Sequence, residues 1–496
     1  MKIDLSTPQR QDLRGIVVIY FMTVLKQIRH NIYALIPLLN GNIRENYLHF
    51  VVIGFLVLLV LQLLYSYKSY LNFTFYIKDG HFYLKHGVFK ISDIDIPFDR
   101  IQNININQNL LQQILNVVGV EIETAGKSDA EINIKALSRD DAETLKDLLL
   151  EQKKTQQAVD NSVESEKTSP TKSKAIFKLD ISRLFKVGLS SNYLKGFGLI
   201  FAFTVTLYQY IRDILESFGK KDLENEYIDL PSSFEYIIGF VVFILLMSFI
   251  VTVASTVIKY FELKVYQLKH DFEVEYGLFK RINKVIKKEK TQVFEIVQNP
   301  ISDFFKIKSL FVSQASSSEV TAKNKIGLVG VSDAEIRILF SSLFDLPYDQ
   351  KFIKTSSNYR FWTRLLIRYF ILASAIGIGV SFPFTPFVGI LTGISLMLPF
   401  SFIAYKRYRK SSVEVNEDLI KINSGSIHTR QKYISIYKIQ SVALLQNIFQ
   451  QQNRHADLIL HTASGSEKIQ YIELDDVQKI LNFLSYKVES TQLSWI

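Results

Sequence analysis

Three glutamines and three glutamine–asparagine pairs recur at fixed offsets: Gln102 with Gln108-Asn109, Gln292 with Gln298-Asn299, and Gln440 with Gln446-Asn447. The first glutamine precedes the second by 6 residues in each set, and Gly87, Gly277 or Gly425 stands 15 residues before the first. Ala125, Ala315 and Ala463 follow the second glutamine by 17. A primary amide offers both donors and acceptors. It can present them to a peptide, a lipid headgroup or a neighbouring lobe. It can also bond the local backbone and fix a loop. Three diverged segments of one chain share these residues, and a requirement of the fold explains that more simply. The loop-fixing reading is therefore preferred.

Basic residues form the second constellation. Lys280, Arg281, Lys284, Lys287, Lys288 and Lys290 put six positive charges into eleven residues. Lys406, Arg407, Arg409 and Lys410 form a shorter run. Such runs suit anionic lipid, at about 1 kcal/mol per charge near the surface, or an acidic partner. The competing reading is a solvated strand face for the first run and a topology signal for the second. Nucleic acid is not the expected partner, because no aromatic residues interleave with the charges and no groove-reading helix is evident.

Other chemistry is thinly supplied. The chain has no cysteine, so thiolate catalysis, disulfides and cysteine metal sites are excluded. The eight histidines (His30, His49, His81, His86, His270, His428, His455 and His461) show no metalloprotease spacing. No phosphate-binding glycine loop, nucleophile elbow or kinase set is present. The sequence predicts no enzyme, no cofactor and no metal.

The elements that must position these residues are of two kinds. The 496 residues combine 48% apolar residues with 21% charged ones, a mixture that implies membrane and soluble segments in one chain. Apolar windows come in pairs: 16–39 with 48–67, 194–214 with 235–258, and 365–383 with 386–404. About 20 apolar residues cross a bilayer. The first window is interrupted by Lys26, Arg29 and His30. It reads as a span or as a surface-lying amphipathic helix with a short span after it. Loops inside the pairs carry little positive charge, whereas Lys68, Lys259, Lys264, Arg360, Arg364 and the 406–410 run flank them. The positive-inside rule then puts the polar lobes in the cytoplasm of a multi-pass cell-membrane protein. No cleaved signal peptide is expected, since the first 14 residues are polar.

The organisation expected is a threefold repeat. Helix pairs fall at 1–68, 176–258 and 348–404, lobes at 69–151, 259–347 and 405–496, and a flexible linker at 152–175. Phe73 to Phe89 alternates around Asp79-Gly80 and predicts a hairpin with a two-residue turn. Val413 to Ile427 repeats it, and Val118–Gly126 and Asp457–Gly465 read as later strands. Each lobe closes on an amphipathic helix: Ser138–Leu150, Ser332–Phe344 and Leu474–Tyr486. Ser332 with Glu335 forms a capping box, and Asp475 with Gln478 suggests a similar start. The fold class is membrane helical hairpins plus α+β lobes.

The order of motifs carries a resemblance. After a helix pair come Asp79-Gly80, Gly87, Ile96-Pro97, Arg100-Ile101-Gln102, Gln108 to Gln112, and Thr124-Ala125-Gly126. This resembles the bacterial pleckstrin-homology (PH) membrane domain, and three copies resemble the YdbT-like membrane proteins of Gram-positive bacteria. The later lobes have drifted to Lys290-Thr291-Gln292 and Lys438-Ile439-Gln440. The resemblance implies a PH-like β-sandwich or barrel with a capping helix, and a partner membrane protein bearing one such domain. It supplies no reaction or ligand. The function expected is a non-enzymatic binding or assembly platform in contact with membrane lipids, acting in envelope maintenance or resistance to membrane-active peptides. The alternative is a component of a transporter or exporter, for which Pro383, Pro386 and Pro399 are the slight indications.

Overall fold

Alternation of apolar residues and well-placed turns builds the lobes strand by strand. The computed structural model describes residues 5–31, 41–124, 132–160, 175–193, 196–198, 200–204, 206, 234–268, 271–315, 325–382 and 385–491. The first repeat runs β1 (Gln9–Arg10), α1 (Gly15–Asn31), α2 (Gly41–Leu71), β2 (Thr74–Lys78), β3 (His81–His86), β4 (Ser92–Pro97), β5 (Ile101–Asn109), α3 (Leu110–Ile114), β6 (Val118–Thr124), β7 (Ile132–Leu137) and α4 (Arg139–Asp160). The second runs β8 (Ala175–Lys178), α5 (Ile181–Leu189), α6 (Phe234–Tyr260), β9 (Lys264–Gln267), β10 (Phe272–Tyr276), β11 (Lys280–Ile286), β12 (Thr291–Gln298), α7 (Pro300–Phe304), β13 (Lys308–Gln314), β14 (Lys325–Val331) and α8 (Asp333–Phe344). The third runs β15 (Ile353–Ser356), α9 (Arg360–Ser381), α10 (Pro386–Arg409), β16 (Ser412–Val415), β17 (Leu419–Gly425), β18 (Thr429–Ser435), β19 (Ile439–Leu445), α11 (Ile448–Gln452), β20 (His455–Thr462), β21 (Gly465–Glu473) and α12 (Leu474–Ser490).

The chain divides into two units. Met1–Ser169, Ser191–Glu262 and Glu275–Lys284 form one, and Pro170–Ser190, Leu263–Val274 and Val285–Ile496 the other. In the first unit β1-β2-β3-β4 form one antiparallel sheet, and β5, β6 and β7 pair in turn in another. Asp79 and Gly80 both have positive φ, 48° and 79°, as the predicted hairpin turn requires. Phe75, Phe82, Phe98, Val120, Ile122 and Ile134 fill the space between the sheets, and Ala142, Leu145 and Leu149 close it from α4. Their spacing of three and four residues puts them on one helix face. α4 continues through residues 152–160, where the sequence suggested linker; 161–174 lie outside the described residues.

The second unit holds a sheet that the sequence did not announce. Its strand order is β14-β13-β12-β18-β17-β16-β15, so the second lobe's sheet continues into the third lobe's through β12 and β18. In the first unit, Lys280–Asn283 of β11 lies antiparallel on β5 in the same way. The third lobe's own second sheet, β19-β20-β21, stays separate. A second unforeseen feature recurs three times: the short strands β1, β8 and β15 stand before each membrane segment yet pair with β2, β9 and β16 after it. α12 begins at Leu474 with no side-chain cap, so the expected start on Asp475 and Gln478 is not its N-terminus. The Ser332–Glu335 capping box is present.

Four described helices are long and apolar enough to cross a membrane: His49–Leu71, Gly239–Tyr260, Arg360–Ser381 and Pro386–Arg409. The ambiguous first window gives α1, whose Val18 is buried with Val117 and Ala136 of the first lobe while Lys26 and Arg29 are exposed. Residues 32–40 and the loop 216–233 lie outside the described residues, as does Pro383. α9 and α10 approach closely through glycines. A Cβ on Gly389 would stand 2.5 Å from the Gly377 carbonyl oxygen and 2.7 Å from the Ser381 Cβ. Small residues of this kind let membrane helices pack backbone to backbone. Gly389→Val is therefore expected to lower stability by about 1–3 kcal/mol in detergent unfolding. Gly379→Ala, which meets nothing within 4 Å, should have no effect in the same measurement.

Candidate functional site

The glutamine–asparagine pairs are spent on local structure. Asn109, Asn299 and Asn447 are the N-caps of α3, α7 and α11, each in a reciprocal capping box with the residue three later: Gln112, Ser302 and Gln450. Gln108 Nε2 donates to the Val117 carbonyl at 2.8 Å, and Gln446 Nε2 to the His455 carbonyl at 2.6 Å, nine residues on in both cases. Gln298 differs, donating to Asp303 Oδ1 at 2.6 Å. Asn109 Nδ2 reaches Met22 Sδ of α1, and Asn299 Nδ2 reaches the Ser190 carbonyl beyond α5, so the corner also ties down the chain entering the membrane. The first glutamines diverge. Gln292 is wholly buried and Gln440 is exposed; the Gln102 side chain lies outside the described residues.

That divergence follows the sheet. β12 is covered by β18, and its Phe294 stacks edge-on with Tyr433 and Phe340. Lys438 pins the same joint: its ammonium donates to the carbonyls of Glu289 and Thr291, both at 2.7 Å, and to that of Lys288 at 3.3 Å. Burial holds its pKa down to about 8. β19 has no such cover among the described residues. Ser441 is exposed where Val293 is buried, and Leu445 is 50% exposed.

A second repeated feature stands on the three glycines of the repeat, and the apolar residue that follows each was not among the residues singled out from the sequence. Gly87, Gly277 and Gly425 turn in the left-handed region, with φ of 125°, 112° and 106°. A Cβ there would strike the carbonyl oxygen three residues on at about 2 Å, so only glycine fits. Two residues after each glycine an apolar side chain projects: Phe89 is 95% exposed, and Phe279 and Ile427 about half. Each turn is fastened to the end of a membrane helix. Asn72 Nδ2 donates to the Gly87 carbonyl, the Gly277 and Leu278 amides to the carbonyls of Phe261 and Ile258, and Lys410 Nζ to the Ser426 carbonyl. The short capped helices add exposed apolar residues: Leu110 and Ile114, Ile301 and Phe304, Ile448 and Phe449. Gln113 Nε2 donates to the Leu278 and Phe279 carbonyls, which sets α3 beside the Gly277 turn. The readable signal was an apolar residue at a constant offset from each glycine.

The basic run does not form one patch. Lys280 and Arg281 are exposed beside the Phe279 turn, while Lys287 and Lys288 stand at the far end of β11. Seven strand residues span about 23 Å. Lys284 and Lys287 are half-buried, and Lys288 pairs with Asp345. Lys406, Arg407 and Arg409 are exposed on the last turn of α10.

Two outcomes follow. Asn447→Ala should cost about 1 kcal/mol in chemical denaturation through loss of the cap. Lys438 titrates lower in the folded chain than in the unfolded one, so between pH 8 and its unfolded value near 10.5 the unfolded chain holds the extra proton. Stability should therefore rise with pH over that window, and Lys438→Met should abolish that rise in thermal melts.

Comparison with known proteins gives matches over most of the chain. The family described as the bacterial PH domain matches three times, at residues 21–153, 214–339 and 367–488. The UPF0699 transmembrane protein YdbT of Bacillus subtilis (strain 168) is 21% identical over 508 aligned residues, covering 97% of this chain and 99% of that protein.

Proposed function

We propose a function from one premise: this chain belongs to the bacterial PH domain family, and it is a membrane protein built from repeats of that domain. Its role is that of a non-enzymatic assembly platform at the inner face of the cell membrane. The lobes lie in the cytoplasm, in keeping with the basic residues that flank the helices. The observation that carries the reading is the joint. β12 pairs with β18 of the next lobe, and β5 with Lys280–Asn283, so consecutive lobes are joined by backbone pairing rather than by loops alone. Such construction favours holding surfaces in fixed order over turning substrate.

Membrane lipids are the first partner in this reading. The turns bearing Phe89, Phe279 and Ile427 are fastened to helix ends; Lys280 and Arg281 follow Phe279 directly, and Lys406, Arg407 and Arg409 lie on the last turn of the helix whose Lys410 holds the Ile427 turn. Apolar tips with a basic rim suit the headgroup layer of an anionic leaflet. The second partner is a membrane protein carrying a PH-like lobe, and the process served is envelope maintenance, including resistance to membrane-active peptides.

The lipid contact is read with single tryptophans at positions 89, 279 and 427, in a background where Trp362 and Trp495 are phenylalanine. Shallow brominated lipids should quench all three, and no quenching would remove the lipid role. Extraction with native lipids should bring down a PH-like partner protein. A single tightly held solute, with flux in proteoliposomes, would replace the platform by a transporter.

A further inference from the structure

The joint between lobes has a fixed register. Gln108 opposes Arg281 and Gln298 opposes Thr429, so the glutamine meets the residue four after the next lobe's glycine, Gly277 or Gly425. The strands in this position share a pattern counted from that glycine. Lys284 and Lys432 stand at seven, Val285 and Tyr433 at eight, and Ile286 and Ile434 at nine, with Arg281 or Arg430 before them; the pairing itself reaches position six in β11 and position eight in β18. Tyr433 is buried among Phe294, Phe340 and Tyr348.

β19 is the third copy of the receiving strand, and its outer edge has no strand on it among the described residues. It is seven residues long and carries no charge, proline or glycine. Natural edges are usually blunted by one of these, because an open row of N–H and C=O groups recruits other strands. Val442 and Leu444, packed only partly against the core with Phe483 of α12, occupy the places of Phe294 and Ile296. We propose that this edge receives a β-strand of another protein, with the same basic, then Lys-apolar-Ile pattern as β11 and β18. The inference rests on the platform reading above.

A second copy of this chain is the other source of such a strand, through β4, and its chemistry argues against it. Counted from Gly87, position eight is Asp95, where β18, the strand paired through that position, has Tyr433. Asp93 and Asp95 are exposed on β4, and Asp95 Oδ1 is bonded to His81 Nδ1 at 2.6 Å. In the joint Asp95 would oppose Val442 and leave water for an apolar setting without a cation, which is costly. β4 is a guarded edge and β19 an open one.

The chain has no cysteine, so disulfide trapping reads the register directly. Full-length protein bearing Ala443→Cys, in lipid nanodiscs, is mixed with a hairpin peptide of residues 416–436 carrying Lys432→Cys. Directly opposed strand residues lie within disulfide reach. The expected result is trapping about tenfold more efficient than with the cysteine moved to position 431, a preference worth about 1.4 kcal/mol. A peptide of residues 81–97 with Ile94→Cys should trap no better than the misplaced control. Absence of register preference overturns the docking edge. Equal trapping by the 81–97 peptide, or cross-linked ladders from an Ala443→Cys, Ile94→Cys chain, overturns the partner in favour of self-assembly. A chain with Glu295→Cys and Lys432→Cys, which are opposed in the structure, is the control. If it closes its disulfide while the peptide fails, only the open edge falls. If it does not close, the lobe joint and the platform reading fall with it.

Discussion

An edge strand cannot leave its backbone polar groups idle at no cost, and that constraint organises this protein. Each lobe makes two small sheets, and the first strand of the second sheet, β5, β12 or β19, has one side turned away from its own lobe. Twice that side is satisfied by a strand from the following repeat. Backbone pairing fixes order and register at once, because a slip of one residue would turn every side chain to the wrong face. The buried Tyr433 ring and the Lys438 ammonium on three carbonyls then make the pairing specific. Neither could be accommodated by a lobe that stood alone.

The same repeats solve a second problem, the join between a helix in lipid and a sheet in water. The glycine turns bring the lobe back to the helix end, and the capped short helices brace the corner. The glutamine and asparagine amides hold that corner together. The side-chain bonds of the glutamine–asparagine pairs are internal, so the surface left at the corner is apolar and basic.

Much of this was legible. The offsets from Gly87, Gly277 and Gly425 gave the repeat, and alternation around Asp79-Gly80 gave the first hairpin. Asn109, Asn299 and Asn447 could have been recognised as caps, since Gln112, Ser302 and Gln450 follow at the capping-box distance. The lobe joints were not legible, because β4, β11 and β18 are all hairpin strands and nothing local tells which one meets a neighbour. The run from Lys280 to Lys290 looked like one patch because spacing along the chain hides the extension of a strand. β1, β8 and β15 are too short to show a period, with two to four residues each.

Those short strands also bear on how the protein is made. The first strand of every lobe leaves the ribosome before the membrane segment, and the strand it pairs with leaves after it. No lobe can complete its sheet until the segment between these two strands has been made and the second strand has come back beside the first. A segment that fails to bring its second strand back to the first leaves an orphaned strand and an unfinished lobe.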